Sequence, residues 1–244
     1  MVLAAGLLRI PAALTEADAH LGLANRFATP FARKVFLAFP IEGVEGPKYR
    51  VVGRPIPARS QPADRGEARK AFGLPADGRA VLVFGGSLGA RRLNQAALGA
   101  WAAAGPAVLH VAGERDFENL DRPTRPDYVL LPFTDDFGAA LSAVDLVVAR
   151  AGGSVWEVAA AGKPALLVPY PEAAADHQTT NARYFERGGG AVVVPEAELD
   201  LKPQAEELLA DEERLERMAA AMRSLAQPDA AGAIAEELIA LASA

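Results

Sequence analysis

From Ala80 onward, short apolar runs alternate with helix-forming stretches, and this alternation leaves few folds open. AVLVFGG is a continuous apolar run, the pattern of a strand buried on both faces. A helix is expected over about Ala90 to Ala104, followed by strands in PAVLHVAG and YVLLPF. A short helix around Phe137 to Ala143 precedes the strand DLVVARAGG. The helix SVWEVAAAG then leads into KPALLVPYP, and a helix around His177 to Arg187 leads into GAVVVP. Six short apolar runs separated by helices predict an α/β fold, a parallel, doubly wound sheet with right-handed crossovers. Ligands of such sheets sit outside the carboxyl ends of the strands. From Leu201 to the end, Ala, Glu and Leu dominate and predict two or three amphipathic helices.

Residues before about Val51 follow another pattern. LTEADAHLGLANRFATPFARKVFLAFP reads as a strand end, a loop, a helix and a second strand, too little for a complete βαβ core. RPIPARSQPADRG is rich in Pro and Arg and reads as a linker. The expected division is the closing part of one domain over 1–50, a linker over 51–64, a whole Rossmann-like domain over 65–226 and a C-terminal helix over 227–244. The opening MVLAAGLLRIPAAL has no basic leader, and Arg9 and Pro11 interrupt it. It is expected to be a buried helix end followed by a strand rather than a signal peptide, which makes the protein cytoplasmic.

Composition narrows the chemistry. A net charge of −6 argues against a general nucleic-acid binder, which would show a basic face. The absence of cysteine excludes disulfides, thiolate metal sites and a Cys nucleophile. The three histidines, His20, His110 and His177, form no metal-ligand pattern, so neither metal nor cofactor is expected.

Three glycine-rich or polar stretches fall at strand ends. In FGGSLGARRLNQ, Gly85, Gly86, Ser87 and Gly89 stand where a strand hands over to a helix. Backbone amides freed by glycine, with the positive end of the helix, suit a phosphate. The lysine and GKS ending of a Walker loop are missing. Glu114, after the second strand, raises the separate reading of a ribose-binding acid in an NAD-dependent oxidoreductase.

RAGGSVWE places Gly152, Gly153 and Ser154 before a helix, with Glu157 three residues on. Two readings stand: a capping box that only satisfies helix-end amides, or a loop that admits a ligand while Glu157 accepts from vicinal sugar hydroxyls. PYPEAAADHQTTNA gathers Asp176, His177, Gln178 and Asn181 at the start of the next helix. So many hydrogen-bonding groups suit a polyhydroxylated sugar better than capping alone.

GGSLGARRLN, PFTDD, RAGGSVWEVAAAGKPALLVPYP and DHQTTNA, in this order and spacing, resemble the sugar-donor half of the MurG family of bacterial N-acetylglucosaminyltransferases of peptidoglycan synthesis. LTEADAHLGLANR, FARKVFLAFP and VVGRPIP resemble the family segment leading through the interdomain linker, so the likeness covers nearly the whole chain. It implies a GT-B fold and inverting transfer of N-acetylglucosamine from UDP-N-acetylglucosamine to lipid I, giving lipid II and UDP. It also implies peripheral contact with the cytoplasmic face of the cell membrane.

By position, the resemblance puts Gly86, Ser87 and Gly89 at the diphosphate, with Gly153 and Ser154 in the second ligand-admitting loop. Phe133 and Thr134 fall beside the uracil, Glu157 at the ribose, and His177 and Gln178 at the sugar hydroxyls. The family's HEQN reads TEAD here, leaving Glu16. A linker arginine falls on Pro57, with Arg54 and Arg59 as candidates to replace it, and the RAGGS loop is one residue short. The family's amino-terminal glycine loop would lie roughly a hundred residues before Met1, about one domain's worth. The catalytic base is accordingly expected upstream, with Glu16 and His20 as candidates within the chain. The alternative function is a non-catalytic UDP-sugar-binding module or subunit.

Overall fold

Apolar runs become parallel strands in both parts of the chain. The computed structural model describes residues 1–86 and 90–243. The chain forms two compact units, Met1–Ile56 with Ala226–Ala244, and Pro57–Leu225.

The first unit runs α1 (Val2–Leu7), β1 (Ala13–Glu16), α2 (Leu23–Ala28), β2 (Lys34–Leu37) and β3 (Tyr49–Val51). The strands form one parallel sheet in the order β1-β2-β3, with Leu14 opposite Val35 and Val35 opposite Tyr49. Ala32, Val35 and Leu37 make its small core, with Leu14, Ile41 and Tyr49 packed against them. The expected helix–strand order at the start holds, but the helix is not a buried one. No residue of α1 is buried and Leu7 is 76% exposed, although Gly6 lies against Phe31 and Val2 packs against the small core. The C-terminal helix Ala230–Ala242 joins this unit. Its Glu237 pairs with Lys34 at 3.3 Å and with Arg50. Gly53, at φ +78°, lies against Gln227 where a Cβ would have no room.

The second unit continues with α3 (Arg65–Phe72), β4 (Ala80–Phe84), α4 (Arg91–Trp101), β5 (Ala107–Val111) and α5 (Glu114–Phe117). It goes on through β6 (Tyr128–Leu131), α6 (Phe137–Ser142), β7 (Leu146–Ala149), α7 (Val155–Ala160), β8 (Ala165–Leu167), α8 (His177–Arg187) and β9 (Ala191–Val193). It closes with α9 (Leu201–Ala210) and α10 (Glu212–Leu225). The six strands predicted from the apolar runs form one parallel sheet in the order β6-β5-β4-β7-β8-β9. Every residue of β4, β7 and β8 is buried, which is why these runs show no polar alternation. The chain winds outward from β4 in one direction and from β7 in the other. The switch point therefore opens between the carboxyl ends of β4 and β7.

The opposite ends of these strands are locked by charge. Arg69, 2% exposed, donates to the carbonyls of Ala143, Pro75, Ala76 and Gly78 and pairs with Asp145 at 3.2 Å. Asp145 also accepts from the Ala80 amide at 2.8 Å. Among the described residues no helix is long and apolar enough to cross a membrane.

Candidate functional site

A cleft opens at the switch point. Its floor is Phe84, the last residue of β4, whose ring meets Phe137 edge-on at 5.0 Å. Gly86 follows on the same wall at φ +98°. Gly85 before it has no space for a side chain, because Ala90 folds back onto it. These two positions need glycine for different reasons, one for backbone conformation and one for close approach. Ser87 and Gly89, expected at a diphosphate, lie outside the described residues.

The neighbouring strand ends supply the other walls. Val111 ends β5 and Gly113 follows it, and Pro132, Phe133 and Thr134 follow β6. Phe133 is 45% exposed, an aromatic face open at the rim. Ser154 and Glu157 enter from the β7–α7 loop and the first turn of α7. Gly86, Phe133, Thr134, Ser154 and Glu157, assigned separately from sequence, thus share one cleft, and Gly153 adjoins Ser154 in the chain.

The capping-box reading of RAGGSVWE does not describe the geometry. Ser154 has helical φ/ψ and makes no side-chain cap bond. Glu157 instead accepts a hydrogen bond from the hydroxyl of Ser60. Ser60 belongs to the segment read from sequence as linker, and its neighbour Arg59, one of the two candidates for the family's linker arginine, lines the cleft as its one cation among the described residues. The segment is fastened at two points. Gly138 packs against the Gln61 carbonyl so closely that no side chain fits, and the Ala63 amide donates to Ser142 Oγ at 3.0 Å. Arg54, the other candidate, sits in the first unit in a hollow with Glu16 and Phe36.

His177 and Gln178 open α8 and do not line this cleft. The Gln178 side-chain oxygen accepts from the Tyr170 amide at 3.0 Å, and His177 Nδ1 donates to the Ala174 carbonyl at 2.7 Å. Asn181, 1% exposed, donates to the Ala151 carbonyl at 3.2 Å, tying α8 to the RAGGS loop. Arg150, which opens that loop, donates to the carbonyls of Val168 and Pro169 and pairs with Glu196. The loops after β7, β8 and β9 therefore hold one another by buried polar bonds. Sequence reading gave Arg150 and Glu196 no role, because the pair joins residues 46 apart.

Glu16 and His20 lie in the first unit, on β1 and the loop after it. The Glu16 carboxylate accepts from the amides of Ala17, Asp18 and Gly22 at 2.9, 3.3 and 2.9 Å and from Asn25 at 3.0 Å. Both its oxygens are engaged in shaping the loop. Glu114 begins α5, exposed and away from the cleft lining. Among the described residues no group of three His, Cys, Asp or Glu is placed to hold a metal ion.

Residues 80–234 match the model of the glycosyltransferase family 28 C-terminal domain. A UDP-N-acetylglucosamine–N-acetylmuramyl-(pentapeptide) pyrophosphoryl-undecaprenol N-acetylglucosamine transferase of Rubrobacter xylanophilus is 42% identical, covering 98% of this chain and 73% of the relative. The enzyme of the same name from Salinibacter ruber is 40% identical over 99% of this chain and 68% of its own length. The crystal structure of Acinetobacter baumannii MurG superposes with a TM-score of 0.77 at 31% identity, over 96% of this chain and 68% of that one. With the family model matching most of its length and close relatives matching nearly all of it, this chain belongs to glycosyltransferase family 28.

Proposed function

We propose that this chain carries the sugar-donor side of a transfer of N-acetylglucosamine from UDP-N-acetylglucosamine to lipid I, giving lipid II and UDP. The observation that carries the reading is the convergence of Gly86, Phe133, Thr134 and Glu157 in one cleft at the switch point of a doubly wound sheet. The names of the relatives, which are transferases using this donor and acceptor, support the same assignment.

In this reading the uracil lies against Phe133 and Thr134, and the ribose diol donates to Glu157. The diphosphate meets the loop of Gly86, Ser87 and Gly89 at the start of α4, with Ser154 and Gly153 closing the second loop. His177 and Gln178 hold the sugar hydroxyls. The acceptor hydroxyl of lipid I attacks the anomeric carbon as the bond to UDP breaks, its electron pair leaving with the diphosphate. A base takes the acceptor proton, and amides at the glycine loop stabilise the charge that develops on UDP. Residues 1–50 belong to the acceptor-binding side, and the reaction takes place at the cytoplasmic face of the membrane.

Titration calorimetry tests the binding half. UDP and UDP-N-acetylglucosamine should bind and NAD should not; NAD binding with no UDP binding at millimolar concentration would overturn the reading. Incorporation of radiolabelled sugar into lipid tests the other half. Transfer is expected when the upstream part of a full-length relative is supplied in cis or in trans. Donor binding with no transfer under either arrangement would favour a non-catalytic UDP-sugar-binding module.

A further inference from the structure

Under the cleft wall lies a polar chain that no step of the proposed reaction uses. His110, on β5, is fully buried. Its Nδ1 is 2.9 Å from the Tyr128 hydroxyl and its Nε2 is 3.0 Å from the Asn94 side-chain oxygen. Asn94, fully buried in the first turn of α4, donates its amide hydrogens to the Ala112 carbonyl at 2.9 Å and to Asp116 at 3.2 Å. Asp116, 3% exposed, also accepts from Arg115 at 3.2 Å.

Every role in this chain is determined. The Asn94 oxygen can only accept, so His110 carries its proton on Nε2 and its Nδ1 accepts a hydrogen bond from the Tyr128 hydroxyl. All the bonds then point from Tyr128 toward Asp116, and bonds aligned in series strengthen one another away from water.

The bonds end at the cleft. Ala112 stands between Val111 and Gly113, both of which line it. Asn94 sits on the helix that follows the glycine loop, and Tyr128 begins the strand that runs into Pro132, Phe133 and Thr134. One buried network therefore joins α4, the segment after β5 and the first residue of β6. No other side-chain hydrogen bond among the described residues reaches the 111–113 backbone. Burying so many polar groups costs stability unless each is satisfied, and a stretch of leucine and valine would have filled the same space.

We propose that Asn94 and His110 are positioning residues for the nucleotide, holding the β5 loop at the distance from Gly86 and the start of α4 that a bound uridine diphosphate requires. The proposal rests on the donor-site reading above. Asn94→Ala should weaken UDP binding by about tenfold, the consequence of leaving two buried partners unsatisfied. It should also speed amide hydrogen exchange over residues 112–116. Lys163→Met is the control. It removes a part-buried donor to the Val144 carbonyl, 2.9 Å away at the opposite strand ends, and should leave UDP affinity unchanged. Parental UDP affinity and exchange in folded Asn94→Ala would overturn the proposal. So would an equal loss of affinity in Lys163→Met, which would show a general effect of stability. If Asn94→Ala does not fold, Tyr128→Phe keeps the ring and removes one hydroxyl. It should give a loss of about threefold, and parental affinity and exchange there would equally overturn the idea. Failure of the parent itself to bind UDP strikes the donor-site reading, while exchange over 112–116 still decides whether Asn94 holds the loop.

Discussion

The hydroxyl of Ser60 donates to the carboxylate of Glu157, joining residues 97 apart in the chain at the edge of the cleft. A carboxylate has more acceptor capacity than one hydroxyl can fill, so this bond orients Glu157 and leaves its other oxygen for a ligand. Glu157→Gln should weaken UDP binding by about 1–3 kcal/mol, the range for a hydrogen bond to a charged group. Ser60→Ala, which leaves the acid in place but unoriented, should cost less. Calorimetric affinities for the two variants check this, and parental affinity in Glu157→Gln would remove the ribose assignment.

Arg59 is the cation that this cleft presents among the described residues. If it faces the diphosphate, Arg59→Ala should reduce UDP affinity about tenfold, near the value of a charge-assisted hydrogen bond. The dependence of binding on salt should flatten as well. Uridine, which lacks phosphate, should bind the variant and the parent alike. Equal losses for uridine and UDP would move Arg59 to the base or the ribose.

The larger sheet was legible because β4, β7 and β8 are buried along their whole length and so appear as unbroken apolar runs. The helix over His177–Arg187 was legible for the complementary reason, a polar start and an apolar face. β3 was not, because Tyr49–Val51 is a three-residue strand with two exposed members beside a Gly-Pro stretch. α3 was hidden by its linker-like composition, although a start signal was present. Asp64 caps the helix by accepting from the Glu67 amide at 3.0 Å, and Gly73 ends it at φ +69°. The cleft residues at strand ends followed from the fold rule. Ser60 did not, and Arg59 entered only as one of two candidates for a family arginine, because packing against α6, not local pattern, brings their segment to the site.

His110 links the site to pH. Burial pushes its pKa down to about 4 from the ordinary 6.5. Between these values the unfolded chain takes up a proton that the folded chain excludes, so stability falls as pH drops through this window. Above pH 6.5 both states hold the neutral ring and the penalty is absent. The loss should approach about 3 kcal/mol near pH 4. Urea unfolding at pH 7 and pH 4.5 reads it, and His110→Gln, which cannot protonate, should have a shallower pH slope. The same slope in both proteins would mean that carboxylates, not His110, carry the acid sensitivity.

The last prediction separates the sugar from the nucleotide. His177 donates its Nδ1 proton to the Ala174 carbonyl, which leaves Nε2 as a bare acceptor. Gln178 commits its oxygen to the Tyr170 amide, which leaves its NH2 group as a donor. One acceptor and one donor, side by side at the start of α8, can read a pattern of adjacent hydroxyls by pairing with both. A sugar with the wrong pattern leaves one of them unpaired, and that penalty is what discriminates. Since neither residue lines the cleft that holds Phe133 and Glu157, their loss should spare UDP itself. His177→Ala and Gln178→Ala should each narrow the preference for UDP-N-acetylglucosamine over UDP-glucose and UDP-galactose, with UDP affinity within about twofold of the parent. Competition binding with the three UDP-sugars measures the preference. Loss of UDP binding in a folded His177→Ala protein would place the nucleotide, not the sugar, against α8.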